Sequence, residues 1–341
     1  MSEFLRACRR EPTAYTPIWL MRQAGRYQPE YRALRERFSF VELCKNSELA
    51  AEVTLLPVQQ LGVDAAIIFA DILLILEPLG IGFHFSKDDG PCIEKPIRSA
   101  ADVDKVSSAI DVEAGLGYVL QSIRNTRSGL PANVPLIGFA GAPFTLASYV
   151  IEGAGSRDYM HTKALMFSDL GAWNALMEKL GSAIAAYLNA QVAAGAQALQ
   201  VFDSWVGCLS PTDYALYVAP HMRKLFAALD KSVPVIHFGT GNPALYPAMR
   251  AAGGDVIGID FRSELGSTWD SLGDDIAVMG NLDPYSLLAP LPELQRRANH
   301  VLNGACGRPG HIFNLGHGIF PQASVDKVRA LVDHVHAQSA R

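Results

Sequence analysis

The sequence has few cysteines, and none of them form pairs at the spacing of a metal or redox site. Cys8, Cys44, Cys92, Cys208 and Cys306 are odd in number and widely scattered. This pattern argues against a disulfide framework and is typical of reduced thiols in a cytosolic protein. Histidines and cysteines at zinc-ligand spacing are also missing, so we predict no metal site.

Long apolar runs are missing as well. No segment reaches the roughly 18 apolar residues that a membrane helix needs, and the N-terminus has no apolar segment typical of a secretion signal. We therefore expect a cytoplasmic protein without a membrane partner. The net charge of −5, with no basic stripe among aromatic residues, argues against a nucleic-acid partner. With 49% hydrophobic residues, the chain is expected to fold as a single domain over 1–341.

Lysine is absent from the first 44 residues, where arginine carries all the positive charge. Residues 1–37 hold eight arginines and four glutamates, a net charge of +4, which leaves −9 for the other 304 residues. The planar guanidinium group suits two-pronged binding of carboxylate or phosphate. Most of these arginines are expected to be ordinary surface charge. Arg22 and Arg26 differ because they directly follow an apolar run, and they predict a small anionic ligand.

Eight short apolar or β-branched runs recur along the chain, each typical of a strand buried on both faces. Helical patterns lie between them, for example at 47–61 and 211–229. This alternation predicts an α/β fold, a (β/α)8 TIM barrel with an N-terminal extension and an inserted hairpin or loop around 76–133 that turns near Asp88 and Asp89. A doubly wound open sheet is the alternative, but the dinucleotide-binding glycine turn that it needs is missing. The eight runs are 16–21, 64–70, 134–140, 196–202, 233–238, 255–259, 276–280 and 311–315.

Polar residues follow the predicted strands, where a barrel of this type carries its catalytic groups. Asp71 follows an entirely apolar strand and could either act on a ligand or cap the next helix. His317 lies between two glycines, which let a ligand approach the backbone closely. His237 could equally be a buried core histidine. Asp260 and Asp283 are weaker candidates that could only orient their neighbours.

Five sequence blocks, in order and spread over nearly the whole chain, together resemble the uroporphyrinogen decarboxylase family. The resemblance implies a single-domain barrel, usually a homodimer, that acts in the cytosol in haem biosynthesis without cofactor or metal. The implied reaction removes carbon dioxide from the four acetate side chains of uroporphyrinogen III and gives coproporphyrinogen III. The blocks are Met21–Tyr27 with Pro29–Tyr31, Ala66–Ile72, Gly138–Leu146 with Tyr149 and Glu152–Gly153, Phe202–Trp205, and Asn314–Gly318.

The resemblance also implies roles for individual residues. Arg22 and Arg26 would bind substrate carboxylates, with Arg35 as a weaker addition. Asp71 would stay ionised, accept hydrogen bonds from the pyrrole NH groups and stabilise a cationic intermediate. The proton donor stays open between an arginine, a substrate-held proton and, less favoured, His317. The other implied substrate contacts are Gln23, Ala24, Gly25, Tyr149, Ser204 and His317, with Phe139 and Phe202 as apolar walls.

Two alternatives belong to other functional classes. A methyltransferase of the same superfamily would hold zinc with His and Cys, but His237 has no neighbouring thiol in the sequence. A non-catalytic tetrapyrrole carrier could use the same arginines and Asp71, and it would release uroporphyrinogen unchanged. Some relatives have histidine where this chain has Trp205, so no role of that histidine can be transferred.

Overall fold

The structure is a computed structural model that describes residues 2–86 and 90–341. Within these residues, seven parallel strands form one sheet whose order follows the chain, and two further strands form a small antiparallel sheet. The strands are β1 (Ala66–Ile67), β2 (Phe83–Ser86), β3 (Gly90–Ile93), β4 (Leu136–Gly141), β5 (Ala198–Asp203), β6 (Val235–Gly239), β7 (Val256–Gly258), β8 (Ala277–Met279) and β9 (His311–Ile312).

Helices follow the parallel strands and cover the outside of the sheet. They are α1 (Glu3–Cys8), α2 (Pro29–Arg37), α3 (Phe40–Lys45), α4 (Ser47–Leu61), α5 (Ala100–Asp104), α6 (Val112–Gly129), α7 (Pro143–Glu152), α8 (Met160–Ser168), α9 (Leu170–Ala194), α10 (Pro211–Asp213), α11 (Ala219–Ala228), α12 (Tyr246–Ala252), α13 (Leu265–Leu272), α14 (Leu291–Gly304) and α15 (Val325–Ser339). Short 3-10 helices span Leu74–Leu76, Val206–Cys208, Pro243–Leu245 and Pro284–Leu288, and a π-helical turn spans Tyr214–Val218. In the part of the chain that the structure describes, no helix is both long and apolar enough to span a membrane.

The sheet is curled, with apolar side chains on both faces. Residues of one face, among them Ile137, Ile236 and Met279, form a cluster with Trp19 and Ile312. The opposite face packs against the helices in a much larger cluster. Burial on both faces explains why the strands read as continuous apolar runs.

The first apolar run, 16–21, forms a single bridge and no regular strand, so the eighth strand of the predicted barrel is not confirmed. Ile18 makes one parallel bridge with Phe313 next to β9, and its carbonyl accepts a hydrogen bond from Asp64 N–H just before β1 (2.8 Å). The run therefore touches both edges of the sheet without a ladder. Trp19 N–H donates to the Phe313 carbonyl (3.3 Å). Four other N–H groups of the run bind side chains: Thr16 to Ser339, Ile18 to Asp64, Leu20 to Gln23 and Met21 to Asn314.

The insertion after β1 begins with the 3-10 helix Leu74–Leu76 and continues through β2, β3, α5 and α6. Strands β2 and β3 are antiparallel, with Phe83 opposite Ile93. The turn predicted at Asp88 and Asp89 lies outside the described residues. This insertion connects two neighbouring strands of the main sheet, because β1 pairs directly with β4.

Candidate active site

Asp71 lies beyond the C-terminal end of β1, and only one of its two carboxylate oxygens is hydrogen-bonded within the part of the chain that the structure describes. Its Oδ1 accepts a hydrogen bond from Leu73 N–H (2.8 Å), so the turn-capping role is filled by that oxygen alone. The other oxygen has no hydrogen-bond partner among the described residues. Burial raises the pKa of Asp71 to about 6, against the opposing effects of the Leu73 hydrogen bond and the Arg22 charge. The carboxylate is thus ionised near neutral pH.

Arg22 reaches the same region from the turn that follows the first apolar run. Its backbone has a left-handed φ of 61°, in a turn closed by the hydrogen bond from Gln23 N–H to the Leu20 carbonyl (2.9 Å). Its side chain lies against Gly318, where a Cβ atom would come within 2.5 Å of Arg22 Cδ. Arg22 is exposed and forms no ion pair with any described residue. Its guanidinium group is therefore available to a ligand.

Tyr149 lies on α7 and faces the same charges. Burial and, to a lesser degree, the negative charge of Asp71 raise its pKa to about 12, whereas the charge of Arg22 opposes the increase. Its ring packs on Trp205, with ring centroids 3.7 Å apart and planes tilted by 31°. Thr145 Oγ1 connects the two elements: it accepts a hydrogen bond from Trp205 N–H (3.3 Å) and donates one to Asp203 (3.0 Å). Sequence reasoning missed this contact of Trp205 with Tyr149.

His317 lies next to Arg22 on the loop that follows β9. Desolvation by the surrounding protein lowers its pKa, and Arg22 lowers it further, whereas Asp260 raises it. The loop is fixed on both sides, because Gly316 N–H donates to the Leu282 carbonyl (2.8 Å) and Ile319 N–H donates to the Met21 carbonyl (2.9 Å). Asp71, Tyr149 and His317 therefore all lie near Arg22, beyond the C-terminal ends of the parallel strands; we call this end of the sheet its mouth.

A second group of arginines lies beside this mouth. Arg26, Arg32 and Arg35 line a surface depression together with Glu36 and Pro321. Arg32 donates to the carbonyls of Arg26 (2.9 Å) and Tyr27 (3.0 Å), so it holds the backbone that carries Arg26. Arg35 donates to the Phe38 carbonyl (2.9 Å). Of the three side chains, Arg26 alone makes no hydrogen bond or ion pair with the described residues.

The other residues that were predicted to contact substrate differ in whether their polar groups already have partners within the protein. Gln23 is fully buried, and its amide accepts from Leu20 N–H and donates to the Ala65 carbonyl (both 3.1 Å). Gln23 therefore has a structural role through its side chain. Ala24 packs in a small apolar cluster, Gly25 N–H is bound by Gln28, and Ser204 is partly exposed after β5. Phe139 and Phe202 meet edge to face at 5.5 Å.

His237, Asp260 and Asp283, whose roles the sequence left open, all make hydrogen bonds with other parts of the protein. His237 is fully buried, its Nδ1 lies 3.2 Å from the Gly253 carbonyl, and burial lowers its pKa to about 4. Asp283 caps the 3-10 helix Pro284–Leu288 through Tyr285 N–H (2.9 Å). Asp260 is fully buried and bound by Arg262 and two backbone N–H groups. Among the described residues, no group of three His, Cys, Asp or Glu side chains could hold a metal ion.

The chain is similar to known proteins over nearly its whole length. The family described as Uroporphyrinogen decarboxylase (URO-D) matches residues 1–338. The chain is 56% identical over 335 residues to the uroporphyrinogen decarboxylase of Sorangium cellulosum, covering 98% of this chain and 95% of the relative. It is 54% identical over 338 residues to that of Carboxydothermus hydrogenoformans, covering 99% and 96%.

Two solved structures share the fold at low sequence identity. A methyltransferase from Methanosarcina mazei superposes with a TM-score of 0.80 at 20% identity, covering 98% of each chain. A B12-independent methionine synthase from Shewanella sp. W3-18-1 gives 0.58 at 10% identity, covering 96% of each. These likenesses concern the fold alone. The family match and the relatives identical at more than half of their positions show more: this chain belongs to the uroporphyrinogen decarboxylase family, and its enzyme class is that of a carboxy-lyase.

Proposed function

We propose that this chain decarboxylates the four acetate side chains of uroporphyrinogen III and releases coproporphyrinogen III, a reaction of haem biosynthesis. The observation that carries the proposal is the open carboxylate of Asp71, which faces Arg22 and Tyr149 at one mouth of the sheet. The family resemblance indicates the substrate, uroporphyrinogen III. The site contains arginine cations that can bind its carboxylates and an aspartate anion that can bind its pyrrole NH groups.

Arg22 and Arg26 bind substrate carboxylates in this proposal. A macrocycle with eight carboxylates is repelled by a chain of net charge −5, so local arginines are needed to attract it. Both side chains are exposed and unpaired within the described residues. Arg35 contributes less because its guanidinium group already binds the Phe38 carbonyl. Tyr149, Ser204 and His317 add hydrogen bonds, and Phe139 and Phe202 face the apolar parts of the ring.

Asp71 acts on the ring through its negative charge. Protonation of a pyrrole carbon turns the ring into an iminium-like cation, into which the electron pair of the acetate C–CO2 bond can move. Carbon dioxide leaves, the exocyclic carbon takes up a proton to become a methyl group, and the ring proton is returned. Each cycle consumes one proton in total. An ionised Asp71 stabilises the cation by accepting hydrogen bonds from the pyrrole NH groups.

No cofactor is required in this scheme, because the pyrrole ring itself receives the electron pair. The proposal extends to a single domain over 1–341 and to a homodimer in the cytoplasm, both of which rest on the family resemblance. We also propose that the run 16–21 takes the place of the first strand and completes an eight-membered barrel. Its hydrogen bonds to Asp64 on one side and Phe313 on the other support this closure.

The test is incubation of the purified protein with uroporphyrinogen III under anaerobic conditions, with and without a strong chelator. Mass spectrometry should show stepwise loss of carbon dioxide down to the four-carboxylate product, unaffected by the chelator. Binding without any mass loss would instead identify a tetrapyrrole carrier. Turnover that stops on metal removal would contradict cofactor-independent chemistry.

A further inference from the structure

The loop Asn314–Ile319 lies between two arginines, and only one of them was predicted from the sequence. On one side, Gly318 contacts the Arg22 stem. On the other side, a Cβ atom at Gly316 would overlap the backbone of Phe261, which places Arg262 beside His317. The charge of Arg262 accordingly lowers the pKa of His317, as that of Arg22 does.

Arg262 is held in a fixed orientation at this place. Its guanidinium group binds Asp260, and its charged end lies over the Phe261 ring, 4.4 Å from the ring centroid. The Arg262 side chain nevertheless remains 53% exposed. A guanidinium group that is both fixed and exposed loses little conformational entropy when it binds a second anion.

The contact with Asp260 does not use up the binding capacity of Arg262. Asp260 also accepts hydrogen bonds from Gly241 N–H (2.8 Å) and from Arg262 N–H (2.6 Å). Only one guanidinium nitrogen of Arg262 donates to it. An arginine side chain carries five N–H donors, and the remaining ones have no partner within the described residues. An exposed edge of the fork therefore stays available.

We propose that Arg262 is a third carboxylate-binding arginine, which lies across His317 from Arg22 and binds a side-chain carboxylate of the tetrapyrrole. This inference rests on the proposed function. A substrate with eight carboxylates has more anionic groups than Arg22 and Arg26 can bind as two forks. Arg262 contributes to substrate affinity rather than to the chemical step, because its charge is shared with Asp260 and it lies beside His317 rather than Asp71.

The experiment measures initial rates with uroporphyrinogen III for the wild type, Arg262→Ala, Arg262→Lys and the control Arg296→Ala. Arg296 is also an exposed arginine paired to a carboxylate, Glu293, but it lies on α14. For Arg262→Ala we expect KM to rise by about tenfold, the effect of losing one charged hydrogen bond, with kcat within about twofold of the wild type. Arg262→Lys keeps a cation for Asp260 but lacks the fork, so KM should rise less. Arg296→Ala should match the wild type.

An unchanged KM in both folded Arg262 variants would overturn the inference, as would a fall in kcat at constant KM. Thermal unfolding monitors whether the loss of the Asp260 partner disturbs the fold. If Arg262→Ala does not fold, Arg262→Lys decides: a raised KM supports the proposal and an unchanged KM contradicts it. A wild type without turnover would count against the proposed function, whereas normal wild-type turnover with an unaffected KM in the variants would count against Arg262 alone.

Discussion

Two aspartates at opposite ends of the same strand differ in how the protein uses them. Asp64 precedes β1 and has three partners: Tyr15 OH (2.8 Å), Ile18 N–H (2.7 Å) and His336 Nε2 (2.7 Å). Asp71 follows β1 and, among the described residues, accepts a hydrogen bond from Leu73 N–H alone. Both are carboxylates next to short apolar segments. The difference lies in whether the fold itself supplies the donors.

This contrast distinguishes the two ends of the sheet. We call the end with Asp64 the structural end, and the end with Asp71, where we propose that the reaction takes place, the chemical end. Asp64 joins the first apolar run to β1 and so stabilises the edge where the sheet begins. Desolvation raises the pKa of Asp71 to about 6, although the Leu73 hydrogen bond and the Arg22 charge oppose this increase. A cost of this kind is typical of a group kept for a ligand. Parallel α/β barrels place catalysis at the C-terminal strand ends and stability at the other ends.

Among the residues around Asp71 at the chemical end, the largest loss of kcat/KM is expected from the double variant Arg22→Ala/Arg26→Ala. Each lost charged hydrogen bond costs about 1.5–3 kcal/mol, so kcat/KM should fall by roughly 10²-fold or more. Anaerobic initial rates measure this loss. Arg37→Ala is the control, because Arg37 is an exposed residue at the end of α2. Equal kcat/KM in the double variant and the control would contradict the proposed role of Arg22 and Arg26 in substrate binding.

The pH dependence of kcat/KM should also be determined at the chemical end, by the protonation of Asp71. Because burial raises the pKa of Asp71 to about 6, protonation below that pH removes the anion that the proposed mechanism requires. We expect kcat/KM to fall about tenfold per pH unit below roughly pH 6. Asp64→Asn should keep the same acid limb. A rate that stays constant down to pH 5 would show that an ionised Asp71 is not required.

A smaller effect is expected from Gly318→Ala, which tests how Arg22 is positioned. The new methyl group would lie 2.5 Å from Arg22 Cδ and push the flexible stem aside. We expect kcat/KM to fall by about two- to tenfold, since misplaced binding groups reduce rates without unfolding the protein. Gly155→Ala is the matched control, because a Cβ atom there meets nothing within 4 Å. Identical rates for the two variants would contradict this role of Gly318.

The smallest effect on turnover is expected at the structural end. Asp64→Asn weakens the contacts to Tyr15, Ile18 and His336, so the free energy of unfolding should fall by about 1–3 kcal/mol. Below the unfolding temperature, kcat should stay within about twofold of the wild type. Denaturant unfolding and initial rates on one preparation measure both quantities. A large loss of kcat in a folded Asp64→Asn protein would contradict the claim that Asp64, unlike Asp71, has only a structural role.

The sequence predicted most of the fold because burial leaves a clear pattern. Seven of the eight apolar runs overlap a strand of the main sheet, and the helix predicted at 47–61 is α4 with the same bounds. The run 16–21 looked like a strand for the same reason, its apolar residues. It forms only a single bridge, because four of its five N–H groups bind side chains, among them those of Asp64, Asn314 and Ser339. Partners so distant in sequence leave no local signal.

The predicted helix at 211–229 shows a second limit. It is divided into α10, the π-helical turn Tyr214–Val218 and α11, and Pro220 lies at the start of α11. Proline has no N–H and favours the first turn of a helix. The periodicity was correct, but the break in the backbone hydrogen bonds depends on Pro220, which the sequence pattern alone did not reveal as a boundary.

The sequence identified those candidate site residues that carry a charge in an unusual place. It was less informative about residues whose role depends on their tertiary contacts. Asp71 and Arg22 stood out as charges directly beyond apolar runs. Gln23 was expected to touch substrate, yet its side chain is buried and bound to the backbone of Leu20 and Ala65. Arg262 was missed, although it follows the run 255–259 by only three residues and could have been found as a charge beyond a strand.

The most direct test of the account is a comparison of substrate binding and turnover in Asp71→Asn. Loss of a preorganised charge in the reacting site typically costs about 10²- to 10³-fold in kcat, whereas the Arg22 and Arg26 contacts remain. We predict a loss of kcat in that range, a dissociation constant for uroporphyrinogen III within about tenfold of the wild type, and an intact fold. Turnover close to that of the wild type in the folded variant would contradict the claim that Asp71 stabilises the cationic intermediate.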